Sequence, residues 1–245
     1  WNTWTCAPKV LQRGKTTSMS ENVASLLDRA VYGMAQVDRL LALNSGTAKR
    51  WIDGYSRGGK TYPPVVRIKT TGDELVTWGE FVEARLLSEY RNAGVPIVRM
   101  RPAVEQLREQ LNTRYPLALA YPFLDVEGKE LVQKAQERSG LEKQLHIVVV
   151  RNGQLMLTPE AERFVQSVDY DAMPEVRRLH PSPDNKTVVM DPLRQFGEPV
   201  VRSVRTELIA EQIRAGDSIA MIASLYELPT EAVEAALRFE LGRAA

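Results

Sequence analysis

GMAQVDRLLALNSGTAKRWIDGY, residues 33–55, holds two short runs whose apolar residues recur at helical spacing, joined by a polar turn. Met34, Val37, Leu40 and Leu41 form one stripe, with small Ala35 beside it. Asn44-Ser45-Gly46 breaks that run, and Ser45 or Gly46 is placed as N-cap to a second helix. In this second helix Ala48, Trp51, Ile52 and Tyr55 recur at i, i+3, i+4 and i+7, while Thr47, Lys49, Arg50 and Asp53 take the other face. Two helices linked by about four residues with a glycine in the turn have the dimensions of a helix-turn-helix. Such a pair either packs only into a core or presents its second helix to a partner.

Working outward, Gly58-Gly59 is expected to stop the second helix. Val65-Val66-Arg67-Ile68, the turn residues Thr71-Gly72-Asp73 and then Glu74–Trp78 read as a β-hairpin, which would make a wing. Phe81, Ala84, Leu86 and Leu87 predict a further helix, Gly94-Val95-Pro96 breaks it, and 97–111 reads as another amphipathic helix.

Charge separates the two uses of the helix pair. Over the whole chain 32 Lys and Arg face 31 Asp and Glu, so the net charge of +1 gives no argument for nucleic acid. Between Tyr32 and Thr70, however, seven bases (Arg39, Lys49, Arg50, Arg57, Lys60, Arg67, Lys69) face two acids (Asp38, Asp53). Lys and Arg contacts to phosphate supply non-specific affinity for DNA, and the exposed face of a helix in the major groove supplies base readout. Thr47, Lys49, Arg50, Arg57, Lys60, Arg67 and Lys69 are the predicted DNA-binding residues, while Trp51 lies on the apolar stripe and belongs to a core.

The 245 residues suit two or three small domains. One cysteine, Cys6, excludes an internal disulfide framework, and two histidines, His146 and His180, supply no zinc-like ligand set. No apolar run reaches the roughly 18 residues of a membrane helix, and the first residues lack a secretory apolar core, so a cytoplasmic protein with no membrane partner is expected. Residues 1–30 are set aside as an N-terminal extension, with Met19 a candidate start; 31–111 form the winged helix-turn-helix domain.

Residues 112–185 read as a small mixed α/β unit. Leu117–Leu124 and His146–Val150 resemble strands, the latter turning at Asn152-Gly153 into a hairpin, with helices over about 127–138 and 159–167. His146 heads an apolar strand as a structural residue. Asp169 and Asp171 have the spacing of a carboxylate pair that a nuclease would use to hold a metal, but no third carboxylate supports them. No catalytic residue, metal or cofactor is assigned.

His180-Pro181-Ser182-Pro183 marks a boundary, and 186–245 holds three short helices, about 206–214, 219–226 and 230–241, again in helix-turn-helix outline. Between Asp191 and Ala245 nine acids face six bases, and the helix that would enter a groove exposes Glu231 and Glu234. Carboxylates aimed at phosphates repel them, so protein contact is the better reading here. The fold class is α+β, mainly α.

The stretch from Val188 to Glu240, with its V-x-D-P start, Phe196-Gly197-Glu198-Pro199, Ala215-Gly216-Asp217-Ser218 and Tyr226-Glu227-Leu228, resembles the small C-terminal domain of VapB-type antitoxins. The front half resembles the MerR-like winged helix that precedes it in longer family members, as in mycobacteria. The resemblance implies a type II toxin–antitoxin module: a homodimer that binds operator DNA, represses its own operon and neutralises a PIN-domain ribonuclease toxin. An arginine is the natural group to enter that toxin's acidic centre, and Arg238 and Arg243 are the candidates. Two alternatives stay open: a stand-alone MerR-like regulator with an effector-binding middle domain, and a nuclease using Asp169 and Asp171.

Overall fold

The computed structural model describes residues 25–91, 94–170, 174–182 and 185–244. Most of the expected N-terminal extension, Cys6, Asp171 and Pro183 lie outside them. The chain is mainly helical with five two-stranded antiparallel sheets among the described residues, in agreement with the expected class.

Strand β1 (Ala30–Gly33) leads into the predicted helix pair, α1 (Met34–Leu40) and α2 (Thr47–Ile52). Their stripe residues Met34, Val37, Ala48, Trp51 and Ile52 are buried. Next come β2 (Tyr55–Arg57) and β3 (Lys60–Tyr62), joined by Gly58-Gly59. Both glycines have positive φ, 58° and 74°, as a two-residue primed turn requires. Strand β4 (Leu75–Thr77) follows and pairs with β1.

This corrects the expected wing. The hairpin after α2 is β2–β3, and Gly58-Gly59 forms its tip rather than the end of α2. Val65–Ile68 is not a strand: the N–H groups of Val65 and Val66 donate to the Trp51 carbonyl and that of Arg67 to the Ile52 carbonyl, closing the C-terminal end of α2. The strand expected at Glu74–Trp78 exists as β4, but its partner is β1, on the far side of the helix pair in sequence.

Helix α3 (Trp78–Glu89) starts at a capping box in which Thr77 Oγ1 accepts from the Glu80 N–H and the Glu80 carboxylate accepts from the Thr77 N–H. Trp78, Phe81, Val82, Leu86 and Leu87 are fully buried, so α3 is the central element rather than a surface helix. Helices α4 (Arg101–Leu111), α5 (Tyr121–Leu124), α6 (Val126–Arg138) and α7 (Pro159–Gln166) surround it together with the hairpin β5–β6 (Val148–Arg151, Gln154–Leu157) and the pair β7–β8 (Val168–Tyr170, Val176–Leu179). Helix α7 packs on α3, and the Trp78 indole N–H donates to the Val176 carbonyl. The strand expected at Leu117–Leu124 does not form: Pro116 and Pro122 each open a short helical turn, since proline supplies no ladder donor. On the free side of β5 the buried Gln136 side chain accepts from the Ile147 and Val148 N–H groups and donates to the Val148 carbonyl.

One hydrophobic core therefore runs from Leu27 to Met190, through both the expected winged domain and the expected middle unit. A second core, from Val188 to Ala236, belongs to the C-terminal part. There β9 (Val200–Val201) and β10 (Val204–Arg205) form a hairpin ahead of the three predicted helices, α8 (Thr206–Ala215), α9 (Ile219–Leu225) and α10 (Thr230–Ala244). Polar contacts join the two parts: the Tyr32 hydroxyl donates to the Gly197 carbonyl at 2.7 Å, and Glu198 accepts from Gln36 and Arg39 of α1.

Candidate nucleic-acid interface

Helix α2 has six residues, too few to hold itself in water. Its N-terminus is capped from α1, where the buried Asp38 carboxylate accepts from the N–H groups of Gly46 at 2.6 Å and Ala48 at 2.7 Å. Gly46 takes the N-cap position but has no side chain to bond, so Asp38 performs the capping that the turn residues do not. The opposite end is fixed by the 65–67 segment described above and by Asp53. Burial works against the Asp53 carboxylate, but the N–H groups of Thr71 and Gly72 with the Arg67 guanidinium more than offset it, so its pKa lies below the ordinary value.

With both ends held, Thr47, Lys49 and Arg50 are left outward. The Arg50 guanidinium donates to Thr47 Oγ1 at 2.8 Å. Lys49 pairs with Glu74 at 2.5 Å, and the hydrogen bond to that carboxylate holds the ammonium above the ordinary lysine range. Arg57 and Lys60 face each other across the tip of the β2–β3 hairpin, both exposed, and the hairpin is stiffened at its base by Tyr55 and Tyr62, stacked 4.6 Å apart. Lys69 is exposed in the loop before β4.

Arg67 is the correction among the predicted contacts. It is buried, and its guanidinium is fully engaged: Nε and Nη2 donate to Glu80, Nη1 to Asp53 Oδ1, Thr71 Oγ1 and the Asp73 carbonyl, and Nη2 to the Leu75 carbonyl. It binds α2 to the 71–75 loop and α3 and does not face solvent. A buried, paired arginine of this kind organises a surface instead of forming it.

Two features of this region lie outside the sequence-based expectations. Gly-Gly between Tyr-Ser-Arg and Lys-Thr-Tyr is a two-residue hairpin signal as well as a helix stop, and here it is the former. Arg91, at the end of α3, reaches back to the Ala42 carbonyl and lines a cleft with Asn44, Thr47 and Trp51; no local pattern marks it.

The two predicted partner-binding arginines lie elsewhere, on α10. Arg238 is exposed beside Glu234, while Arg243 is largely covered, close to Glu240 and over the Phe239 ring. Both line a cleft of about 680 Å³ that also includes Lys186 and Asn185. Asp169 Oδ2 lies 2.9 Å from His180 Nε2, and His146 Nε2 meets the Leu141 carbonyl, a structural contact. Among the described residues no group of three or more His, Cys, Asp or Glu is placed to hold a metal, and no helix is long and apolar enough to cross a membrane.

Comparison with known proteins agrees with this two-part construction. Residues 30–104 match the family described as "Putative DNA-binding HTH domain", and residues 188–239 match "Protein of unknown function (DUF433)". The chain is 39% identical over 226 residues to "Uncharacterized protein Rv2308" of Mycobacterium tuberculosis, covering 89% of this chain and 93% of that protein. It is 29% identical over 227 residues to "Putative antitoxin VapB45" of the same organism, covering 86% and 93%. The crystal structure of Rv2018 from M. tuberculosis superposes with a TM-score of 0.70 at 25% identity, over 87% of this chain and 100% of that one. The chain, in which a match to the "Putative DNA-binding HTH domain" precedes a match to DUF433, thus belongs to the family of Rv2308 and is homologous to VapB45.

Proposed function

We propose that this protein is the antitoxin of a type II toxin–antitoxin module: it binds operator DNA as a homodimer, represses its own operon, and neutralises a ribonuclease of PIN-domain type. The observation that carries the DNA half is the outward face of α2. It presents Thr47, Lys49 and Arg50 on a helix fixed at both ends, followed directly by a stiffened hairpin with Arg57 and Lys60 at its tip. Cations on a rigid helix and a projecting hairpin suit a groove and its flanking phosphates. A two-fold dimer would set two such helices about 34 Å apart on an inverted repeat.

Homology to VapB45 supports the toxin half, since that protein bears the name of an antitoxin. Arg238 and Arg243, with Lys186, line a cleft that also holds Glu231, and each arginine pairs with a glutamate of α10, so a carboxylate-rich partner would have to exchange with Glu234 and Glu240.

The test combines two measurements. Gel-shift titration of the DNA upstream of the gene should show Lys49→Ala/Arg50→Ala weakening binding. A side chain that reads a base should cost about 1–3 kcal/mol, and one that meets a phosphate should lower the salt slope by roughly one unit. Equal affinities for wild type and the double variant would sink the DNA reading. Co-expression with the product of the adjacent reading frame should yield a stable complex with suppressed ribonuclease activity; a neighbour that is not a ribonuclease would sink the antitoxin reading.

A further inference from the structure

Beside the outward face of α2 lies a cleft of about 420 Å³ lined by Ala42, Leu43, Asn44, Thr47, Trp51 and Arg91. Its chemistry is one-sided. None of these residues is an aspartate or glutamate, and four of them carry side-chain N–H or O–H groups. Arg91 is exposed and donates one guanidinium N–H to the Ala42 carbonyl; it has no carboxylate partner among the described residues. Arg50, bonded to Thr47 Oγ1, has none among them either.

Trp51 supplies a second, independent sign of a ligand. The residue is 8% exposed, so its ring belongs to the core, yet its indole N–H finds no acceptor among the described residues. That N–H is not sealed in the interior, so it opens at the surface that Trp51 gives to the cleft. An indole nitrogen can only donate, and its complement is an acceptor from outside the chain. Backbone donors are already taken: the Gly46 and Ala48 N–H groups go to the buried Asp38 carboxylate and that of Thr47 to the Asn44 carbonyl. The site is therefore one of side chains, and the Asp38 charge near it is already met by two donors.

We infer that this cleft seats one phosphodiester group of the DNA backbone. The Arg91 guanidinium supplies the charge, and the Trp51 indole, the Asn44 amide and the Thr47 hydroxyl supply further donors. An arginine fork matches the geometry of a phosphate, and contacts of this kind fix the register of a helix on a duplex. Position favours DNA over a free anion: Thr47 belongs both to the cleft and to the outward face of α2, so a duplex meeting that face carries its backbone past Arg91. Arg91 then serves beside the first turn of α2 as Arg57 and Lys60 serve beyond its last. The inference rests on the operator-binding reading above and adds to it a contact from outside the helix pair.

Gel-shift titration of the full chain across a salt series, with ethylation interference on the DNA upstream of the gene, tests it. Arg91→Ala should weaken binding several-fold, lower the salt slope by roughly one unit and erase interference at one phosphate of each half-site, all at unchanged Tm. Arg91→Lys should keep the slope. Trp51→Phe, which leaves a ring for the core and removes the N–H, should weaken binding several-fold at an unchanged slope. A wild type without affinity for this DNA overturns the operator reading and the cleft together. An Arg91→Ala or Trp51→Phe protein that binds like wild type overturns the cleft alone. So does an Arg91→Ala protein that loses affinity with its slope and interference pattern intact, which would make Arg91 a prop for the turn at Ala42. A rise in wild-type Tm with added inorganic phosphate that Arg91→Ala abolishes, at an unaltered interference pattern, would assign the cleft to a free anion and overturn it as well.

Discussion

Lys49 already holds an anion from its own chain. Its ammonium is exposed, yet Glu74 competes for it with any phosphate, so binding DNA must first release an ion pair. Glu74→Gln should therefore tighten operator binding several-fold, with the largest gain at low salt, as read by gel-shift titration across a salt series; weaker binding by this variant would show that Glu74 orients Lys49 instead. Deeper in the same fold, Glu83 is fully buried with the Arg108 guanidinium 3.8 Å from its second oxygen, and burial pushes its pKa up to about 8. The folded protein thus holds a proton there that the unfolded chain releases above its ordinary value of 4.5. Stability from this group is full at pH below that ordinary value and is lost as pH rises through about 8. Glu83→Gln keeps an acceptor for the Leu117 N–H and should flatten that decline, giving a higher Tm than wild type above about pH 8; parallel Tm–pH curves would refute the assignment. None of this is legible in the sequence, where Glu83 and Arg67 look like ordinary charged residues on polar faces.

At the scale of elements, α2 depends on a side chain from its neighbour. Removing the cap by Asp38→Ala should cost about 1–2 kcal/mol. Amide exchange should accelerate within Thr47–Ile52 more than elsewhere in the helix-turn-helix, and unchanged protection there would mean that packing alone holds the helix. The periodicity of Met34–Leu41 and Ala48–Ile52 makes both helices readable, as it does for α6, α7 and the C-terminal three. Pairing partners are less accessible. Strand β1 is four residues without strong alternation, and its partner lies beyond the whole helix pair and the hairpin. The true hairpin is hidden because glycine is equally a helix terminator and a turn former, and only the flanking Tyr55 and Tyr62 favour the second use.

For the whole molecule, the two parts meet where Tyr32 of the first core supports Gly197, in the loop ahead of β9. Gly197→Ala would place a methyl group within 2.3 Å of the tyrosine hydroxyl at a φ of 74°, and should destabilise the chain by about 1–3 kcal/mol. Urea titration followed by intrinsic tryptophan fluorescence should show the lower midpoint, whereas an unshifted curve would mean that the two parts are energetically independent. Loops and turn residues suggest a boundary between a front domain and a middle unit, but packing runs through it. The reason lies in α3: with Trp78, Phe81, Val82, Leu86 and Leu87 buried around its circumference, it needs cover on several sides, and α7 and β8 supply what the helix-turn-helix cannot. Charge asymmetry is legible from composition only in part: Arg57, Lys60 and Lys69 are exposed, whereas Arg67 is buried against Asp53 and Glu80, and Lys49 and Arg39 are paired with Glu74 and Glu198. Gln136 has a consequence at this scale as well. By standing in for a neighbouring strand at Val148, its amide closes that end of the free β5 border, so sheet-by-sheet stacking towards insoluble aggregates has only the exposed end at Val150 and Arg151 to start from.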